Sequence, residues 1–132
     1  MITAHDFQLV FCDDIRREDS GKHILVGVYG SNIILNSFPS TFFMSVWFKM
    51  LRPPKGDHKF LFTITGTGKE PSKCTAEGAF FVEDASQPLI LTFVGMPIEF
   101  HTSGEVKASV TIDDDKEIDL GGIPVDELQR TA

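Results

Sequence analysis

Hydrophobic residues alternate with polar ones in segment after segment, and this period of two constrains the fold more than any other feature of the chain. In residues 57–66, Phe60, Phe62 and Ile64 fall on one side. The opposite side of the same segment carries Lys59, Thr63 and Thr65. Residues 105–112 repeat the pattern. Because successive side chains of a β-strand point to opposite faces, both segments are predicted to be half-buried strands.

Seven other segments show the same alternation or a concentration of β-branched and aromatic residues, which predicts about nine strands in all. These segments are residues 7–12, 22–29, 32–35, 41–51, 73–82, 89–94 and 117–120. Turn residues separate them at intervals of roughly 8–15 residues, a spacing typical of a sandwich or a barrel. No long segment shows the apolar period of about 3.6 residues that an amphipathic helix requires.

Strands with one apolar face must bury that face against a second sheet. The predicted fold class is therefore all-β: a single antiparallel two-layer β-sandwich of about seven to nine strands. A closed barrel stays open as an alternative, because periodicity does not distinguish a sheet that closes from one that packs on another. The 132 residues have the length of one domain with a core of its own, so residues 1–132 are predicted to form a single domain.

The balance of charge disfavours two classes of partner. The formal net charge is −7 at neutral pH, which repels nucleic-acid phosphates and anionic lipids, so neither nucleic acid nor membrane is predicted as a partner. One basic loop departs from this balance, and aromatic residues that would stack on bases are missing from it. Its basic residues are Lys49, Arg52, Lys55 and Lys59. Solvation of a long hairpin explains them. The loop is also suited to residues 67–132 of another copy, where thirteen acidic residues outnumber five basic ones.

Cysteine usage and the first residues predict a cytoplasmic protein. Cys12 and Cys74 are the only two cysteines, and a domain of this size needs no cross-link, so both are predicted to be free thiols. The N-terminal residues lack the basic and apolar regions of a signal peptide, since Asp13 and Asp14 follow too soon.

Compact catalytic motifs are missing from the sequence. His5, His23, His58 and His101 are scattered, without the spacing of a zinc site. Residues 64–71 resemble a phosphate-binding loop only superficially, because Glu70 follows Lys69 where a serine or threonine would bind magnesium. We therefore predict no catalytic residue and no cofactor.

An acidic segment near the C-terminus contains the residues best suited to a metal. Calcium needs several oxygen ligands that converge on one loop. Its candidate ligands are Asp113, Asp115, Glu117 and Asp119. Counted from Asp115, the segment lacks the glycine and the glutamate of an EF-hand, so we interpret it as a solvated hairpin tip.

Residues 41–51 form a predicted strand with two apolar faces. One side carries Phe43, Trp47 and Leu51, separated by Ser45 and Lys49. The other side carries Phe42, Met44, Val46, Phe48 and Met50. A strand in a two-layer sandwich has one inner face, so the first side must be covered by the same chain or by another chain. We predict that these three residues form the interface of a two-fold homodimer.

Several motifs resemble a family of short bacterial proteins of unknown function. In residues 12–22 a strand ends in acidic residues and a Gly-Lys turn follows, and residues 24–30 read like that family's next strand. A phenylalanine-rich strand at residues 42–48 and a turn leading into residues 56–62 are similar too. The resemblance implies a bacterial or phage-borne cytoplasmic protein with an immunoglobulin-like sandwich, and it brings no catalytic residue.

The sequence thus predicts a non-enzymatic interaction or structural module that self-associates or binds another protein. A ligand-binding sandwich of the calcium or carbohydrate type is the first alternative, and a small hydrolase built from distant residues is the second.

Overall fold

The computed structural model describes residues 2–129, which form nine strands in two sheets. The strands are β1 (Phe7–Arg17), β2 (His23–Val28), β3 (Ile33–Leu35), β4 (Ser40–Met50), β5 (Gly56–Thr65), β6 (Lys73–Val82), β7 (Leu89–Phe100), β8 (Gly104–Ile112) and β9 (Ile118–Glu127). Sheet A has the order β2-β1-β4-β7, and sheet B has the order β3-β9-β8-β5-β6. The all-β fold class is confirmed, and each predicted strand has a counterpart.

The core lies between the two sheets and is rich in phenylalanine. Phe48 of β4, Phe62 of β5 and Phe100 of β7 are its largest fully buried side chains. Phe62 stacks on Phe93 of β7, with ring centroids 4.4 Å apart and an interplanar angle of 2°. Since β5 belongs to sheet B and β7 to sheet A, this pair joins the sheets directly. Burial of one such side chain stabilises a fold by roughly 1.5–3 kcal/mol.

Three strands extend well beyond their predicted ends: β1 to Arg17, β7 to Phe100 and β9 to Glu127, the last two through β-bulges. The predicted strand 89–94 continues to Phe100, because β7 accommodates an additional residue where the pairing with β4 shifts between Met44 and Val46. Gly95 adopts φ 68° at this point, a conformation that glycine adopts without strain. Gly121, with φ 85°, lies at a similar shift in β9, which extends from Ile118 to Glu127.

Pairing between strands is antiparallel except at one place. The short strand β3 lies parallel to β9, with Ile33 opposite Val125. A single isolated bridge in the described part of the chain, between Thr67 and Phe100, connects the segment after β5 to the end of β7. The architecture is therefore sandwich-like, whereas the immunoglobulin-like topology implied by the resemblance stays a prediction.

The only helical segment among residues 2–129 is a three-residue 3-10 turn, Ala4–Asp6. No helix in this part of the chain is long and apolar enough to cross a membrane.

Candidate interaction face

Large apolar side chains cover the face of sheet A that points away from the core. Trp47 lies opposite Val10 on β1 and Thr92 on β7, and these residues alternate with core residues along their strands. Phe43, two positions before Ser45 on β4, is 62% exposed. We call this surface the outer apolar face, and its larger side chains are Val10, Val28, Phe43, Trp47, Ile90 and Val94. The structure thus places two of the three predicted interface residues, Phe43 and Trp47, on one surface.

Exposure of apolar residues is concentrated on this sheet. Ten large hydrophobic side chains are exposed among residues 2–129, and six of them belong to strands of sheet A. These six are Ile24, Val26, Val28, Phe43, Ile90 and Val94. The corresponding face of sheet B is dominated by charged and hydroxyl side chains, with Ile34, Leu61 and Phe81 as its large exposed hydrophobics. Monomeric proteins rarely expose a contiguous patch of this kind without a binding role.

The centre of the outer apolar face is fixed by a buried hydroxyl group. Ser45 is fully buried, and its Oγ donates a hydrogen bond to the Asp13 carbonyl at 3.2 Å. The same Oγ accepts a hydrogen bond from the Gly95 N–H at 3.1 Å. One side chain therefore links β1, β4 and β7 at the bulge, where the regular backbone ladder is interrupted. Phe43 and Trp47, two residues to either side of Ser45 on β4, lie on the same face of the sheet.

Opposite charges flank the outer apolar face along the strand direction. Lys49 is half-buried and lies opposite Gln8 and Ile90 at one end. Glu99 lies opposite Thr41 at the other end, and its carboxylate is 3.2 Å from Nε2 of His101. Between these two positions the outward side chains of β4 and β7 are apolar, serine or threonine. On β1, Asp14 has the same outward parity as Val10 and forms an ion pair of 2.6 Å with Arg16. The face is thus mainly apolar in its middle, with a positive charge at one end and a negative charge at the other.

Leu51, the third predicted interface residue, lies outside strand β4. The strand ends at Met50, and the Leu51 N–H donates a hydrogen bond to the Asp6 carbonyl at 2.8 Å. This bond lies one position beyond the pairing of Met50 with Phe7, so Leu51 follows directly on the β1–β4 pairing.

The predicted basic loop is divided between different parts of the molecule. Lys49 belongs to sheet A, whereas Lys59 belongs to β5 of sheet B. Arg52 forms an ion pair of 3.5 Å with Asp6, and the Lys55 carbonyl accepts a hydrogen bond from His58. The four residues are thus distributed over two sheets and the loop that joins them.

The acidic segment forms a turn with local partners. Asp113 and Asp114 have φ values of 55° and 63°, and the Asp115 N–H bonds to the Ile112 carbonyl at 3.0 Å. Asp119 accepts a hydrogen bond from the Gly121 N–H. The strand predicted from residue 117 begins at Ile118, so Asp115 and Glu117 do not line a strand face with Asp119. Residues 2–129 contain no cluster of three histidine, cysteine or acidic side chains placed to hold a metal ion.

A contact between His58 and Asp113 was not predicted from the sequence. Nδ1 of His58 is 2.5 Å from the Asp113 carboxylate, and Nε2 is 3.0 Å from the Lys55 carbonyl. Both partners are acceptors, so the doubly protonated imidazolium satisfies both at once. The bond to Asp113 raises the pKa of His58, and the same bond lowers the pKa of Asp113. In the sequence, His58 alternates in step with Phe60 and Phe62. This spacing is the one sequence signal that His58 packs toward the core side.

Both cysteines are free, and neither is activated. Cys12 lies opposite Ser45, is fully buried, and has a pKa raised by that burial and by nearby Asp13 and Asp14. Burial also raises the pKa of half-buried Cys74. The raised pKa values keep both cysteines as neutral thiols, which are poor nucleophiles.

The motifs that carried the family resemblance have a structural basis at the β1–β2 hairpin. Gly27 has φ 68°, and a Cβ at this position would lie 2.2 Å from the Asp13 carboxylate. The Tyr29 hydroxyl donates a hydrogen bond to Asp13, and the ring packs edge-on against Phe42 at 5.8 Å. Burial, followed by the bond to Asp13, raises the pKa of Tyr29. An aspartate, a glycine and a tyrosine at this spacing thus form one packed unit.

Fold and surface together define a small all-β protein of two packed sheets with one apolar outer face. Residues 8–121 match a family of unknown function, DUF6941, and the chain belongs to this family. The predicted membership in a family of unknown function is thereby confirmed. A search of curated proteins finds no match to the chain.

Proposed function

We propose that the protein is a non-enzymatic interaction module that self-associates through the outer apolar face. The observation that carries this proposal is the difference between the two outer faces, one apolar and one polar, in a single chain. Phe43 and Val94 are more than half exposed, at 62% and 55%. Removal of apolar surface from water contributes about 25 cal/mol per Å², so covering this face with a second copy is favourable.

The titratable groups support a non-enzymatic role. The two thiols are held neutral by burial, and both ring nitrogens of His58 are engaged by acceptors. A general base needs a free nitrogen in the vicinity of a substrate proton. The role of His58 is accordingly structural.

A cytoplasmic location and a bacterial or phage origin belong to the same proposal. Two unpaired cysteines in one small domain support a reducing compartment. The origin rests on the motif resemblance in residues 12–30.

Phe43 and Phe81 provide a matched pair of variants for the test. Both are phenylalanines on outer faces, 62% and 63% exposed, but Phe43 is on sheet A and Phe81 is on sheet B. Light scattering coupled to size exclusion measures the mass across a concentration series. We expect the wild type and Phe81→Ser to reach the mass of a dimer at high micromolar concentration, and Phe43→Ser to stay a monomer.

Trp47 supplies an independent readout because it is the only tryptophan. Its fluorescence should become less accessible to a soluble quencher as the concentration rises. A wild-type protein that stays monomeric at high micromolar concentration, with quenching independent of concentration, would contradict the proposal.

A further inference from the structure

We infer that the second copy docks face to face with its strands antiparallel to those of the first, so that the two-fold axis crosses the strands near Ser45. This inference rests on the proposed function and specifies the geometry of the same surface. Lys49 and Glu99 are the charged residues that end the outer apolar face on β4 and β7, and they set the orientation.

Positions along β4 define the centre of the arrangement. Glu99 lies opposite Thr41, so the two charges are eight β4 positions apart, or about 26 Å at a rise of about 3.3 Å per residue. The midpoint of this interval is Ser45. A two-fold axis through that point, perpendicular to the strands, brings Lys49 of each copy to Glu99 of the other. It also brings Phe43 of each copy to Trp47 of the other, and so pairs the largest side chains of the face.

The alternative two-fold arrangement is disfavoured by the same charges. An axis parallel to the strands would set Lys49 close to Lys49 of the second copy, and the two Glu99 residues at the same opposite end. Like charges facing each other across an interface oppose association, whereas complementary charges define the register. Asp14 and Arg16, the charged residues of β1 on the same face, pair with each other at 2.6 Å, so Lys49 and Glu99 determine the orientation and favour the antiparallel arrangement.

The size of the face predicts a weak dimer. Four strands spaced by about 4.8 Å are about 19 Å wide, and a length of about 26 Å gives a footprint of roughly 500 Å² per copy. Two copies would bury about 1,000 Å², at the low end of specific interfaces and typical of transient ones. Dissociation in the micromolar range is expected for this reason.

A charge exchange tests the arrangement. Lys49→Glu and Glu99→Lys each place like charges at both ends of the proposed interface, and the double variant restores opposite charges. We expect each single variant to weaken dimerisation at least about tenfold, and the double variant to recover it to within about threefold of the wild type. Lys107→Glu, an exposed residue on β8 of sheet B, is the matched control and should dimerise like the wild type.

The outcomes separate this inference from the proposed function. Single variants that dimerise as tightly as the wild type, or a double variant that fails to recover, would overturn the antiparallel arrangement while self-association itself stands. A monomeric wild type would overturn both. Thermal melts establish that every variant is folded. If a charge-reversed variant is unfolded, Lys49→Gln or Glu99→Gln takes its place. Each of these neutral variants should weaken dimerisation, and unchanged dimerisation would again refute the arrangement.

Discussion

Replacement of Ser45 by alanine should destabilise the protein although it removes a single oxygen atom. The Ser45 hydroxyl makes two hydrogen bonds in a fully buried position, to the Asp13 carbonyl and from the Gly95 N–H. Each such bond contributes about 0.5–1.5 kcal/mol net, and a backbone group left without a partner adds a desolvation cost. We therefore expect Ser45→Ala to lower the free energy of unfolding by about 2 kcal/mol.

Thermal unfolding makes this change measurable. An unfolding entropy of about 2.1 cal/mol/K per residue over 132 residues converts 2 kcal/mol into a decrease of about 7 °C in Tm. Ser109→Ala is the control, because Ser109 is half-buried in β8 and its side chain makes no hydrogen bond with residues 2–129. The control should change Tm by less than about 2 °C, as expected for a substitution without a lost partner.

Equal melting temperatures for the two alanine variants would refute the reasoning. Such a result would mean that the bulge holds β7 in place without the Ser45 hydroxyl. Urea unfolding at one temperature provides the independent check, since the slope with denaturant reports whether the variant still exposes the same surface on unfolding.

Two further predictions concern titratable groups. The pKa of His58 is raised and that of Asp113 is lowered, so their pair should contribute its full stability between about pH 4 and pH 6.5 and lose it as the pH rises through the raised pKa of His58. Urea unfolding at pH 6 and pH 8.5 should show a larger loss for the wild type than for Asp113→Asn, and equal losses would contradict the prediction. Alkylation in denaturant without reductant should modify both Cys12 and Cys74, and a pair that reacts only after reduction would disprove free thiols.

Strand positions were predictable from the sequence because alternation is a local property. Residues 73–82 were predicted as a strand, and β6 spans Lys73–Val82. The ends of β7 and β9 were not predictable in the same way. Gly95 and Pro97 read as the end of a strand, but a bulge accommodates the glycine, and β7 is an edge strand on which proline is tolerated.

The candidate face was predictable only in part. Phe43 and Trp47 lie on one strand, so their shared side follows from spacing alone. The contribution of β7 to the face depends on which strands pair, and the position of Glu99 opposite Thr41 depends on an additional residue in the bulge. The contact of His58 with Asp113 joins residues 55 positions apart, and no local pattern encodes such a contact.

Affinity and orientation have different physical sources in the proposed dimer. Each copy carries a net charge of −7, so two copies repel one another at distances within the Debye length of about 8 Å at physiological salt. Burial of apolar side chains such as Phe43 and Trp47 must therefore supply the attraction. Exposed ion pairs contribute about 1 kcal/mol or less each, so the two pairs of Lys49 with Glu99 supply a smaller share of the affinity than the apolar burial does. Lys49 and Glu99 instead determine which of the two arrangements has the lower free energy. Both arrangements bury the same apolar area, but the antiparallel one pairs opposite charges twice and the other one pairs like charges twice.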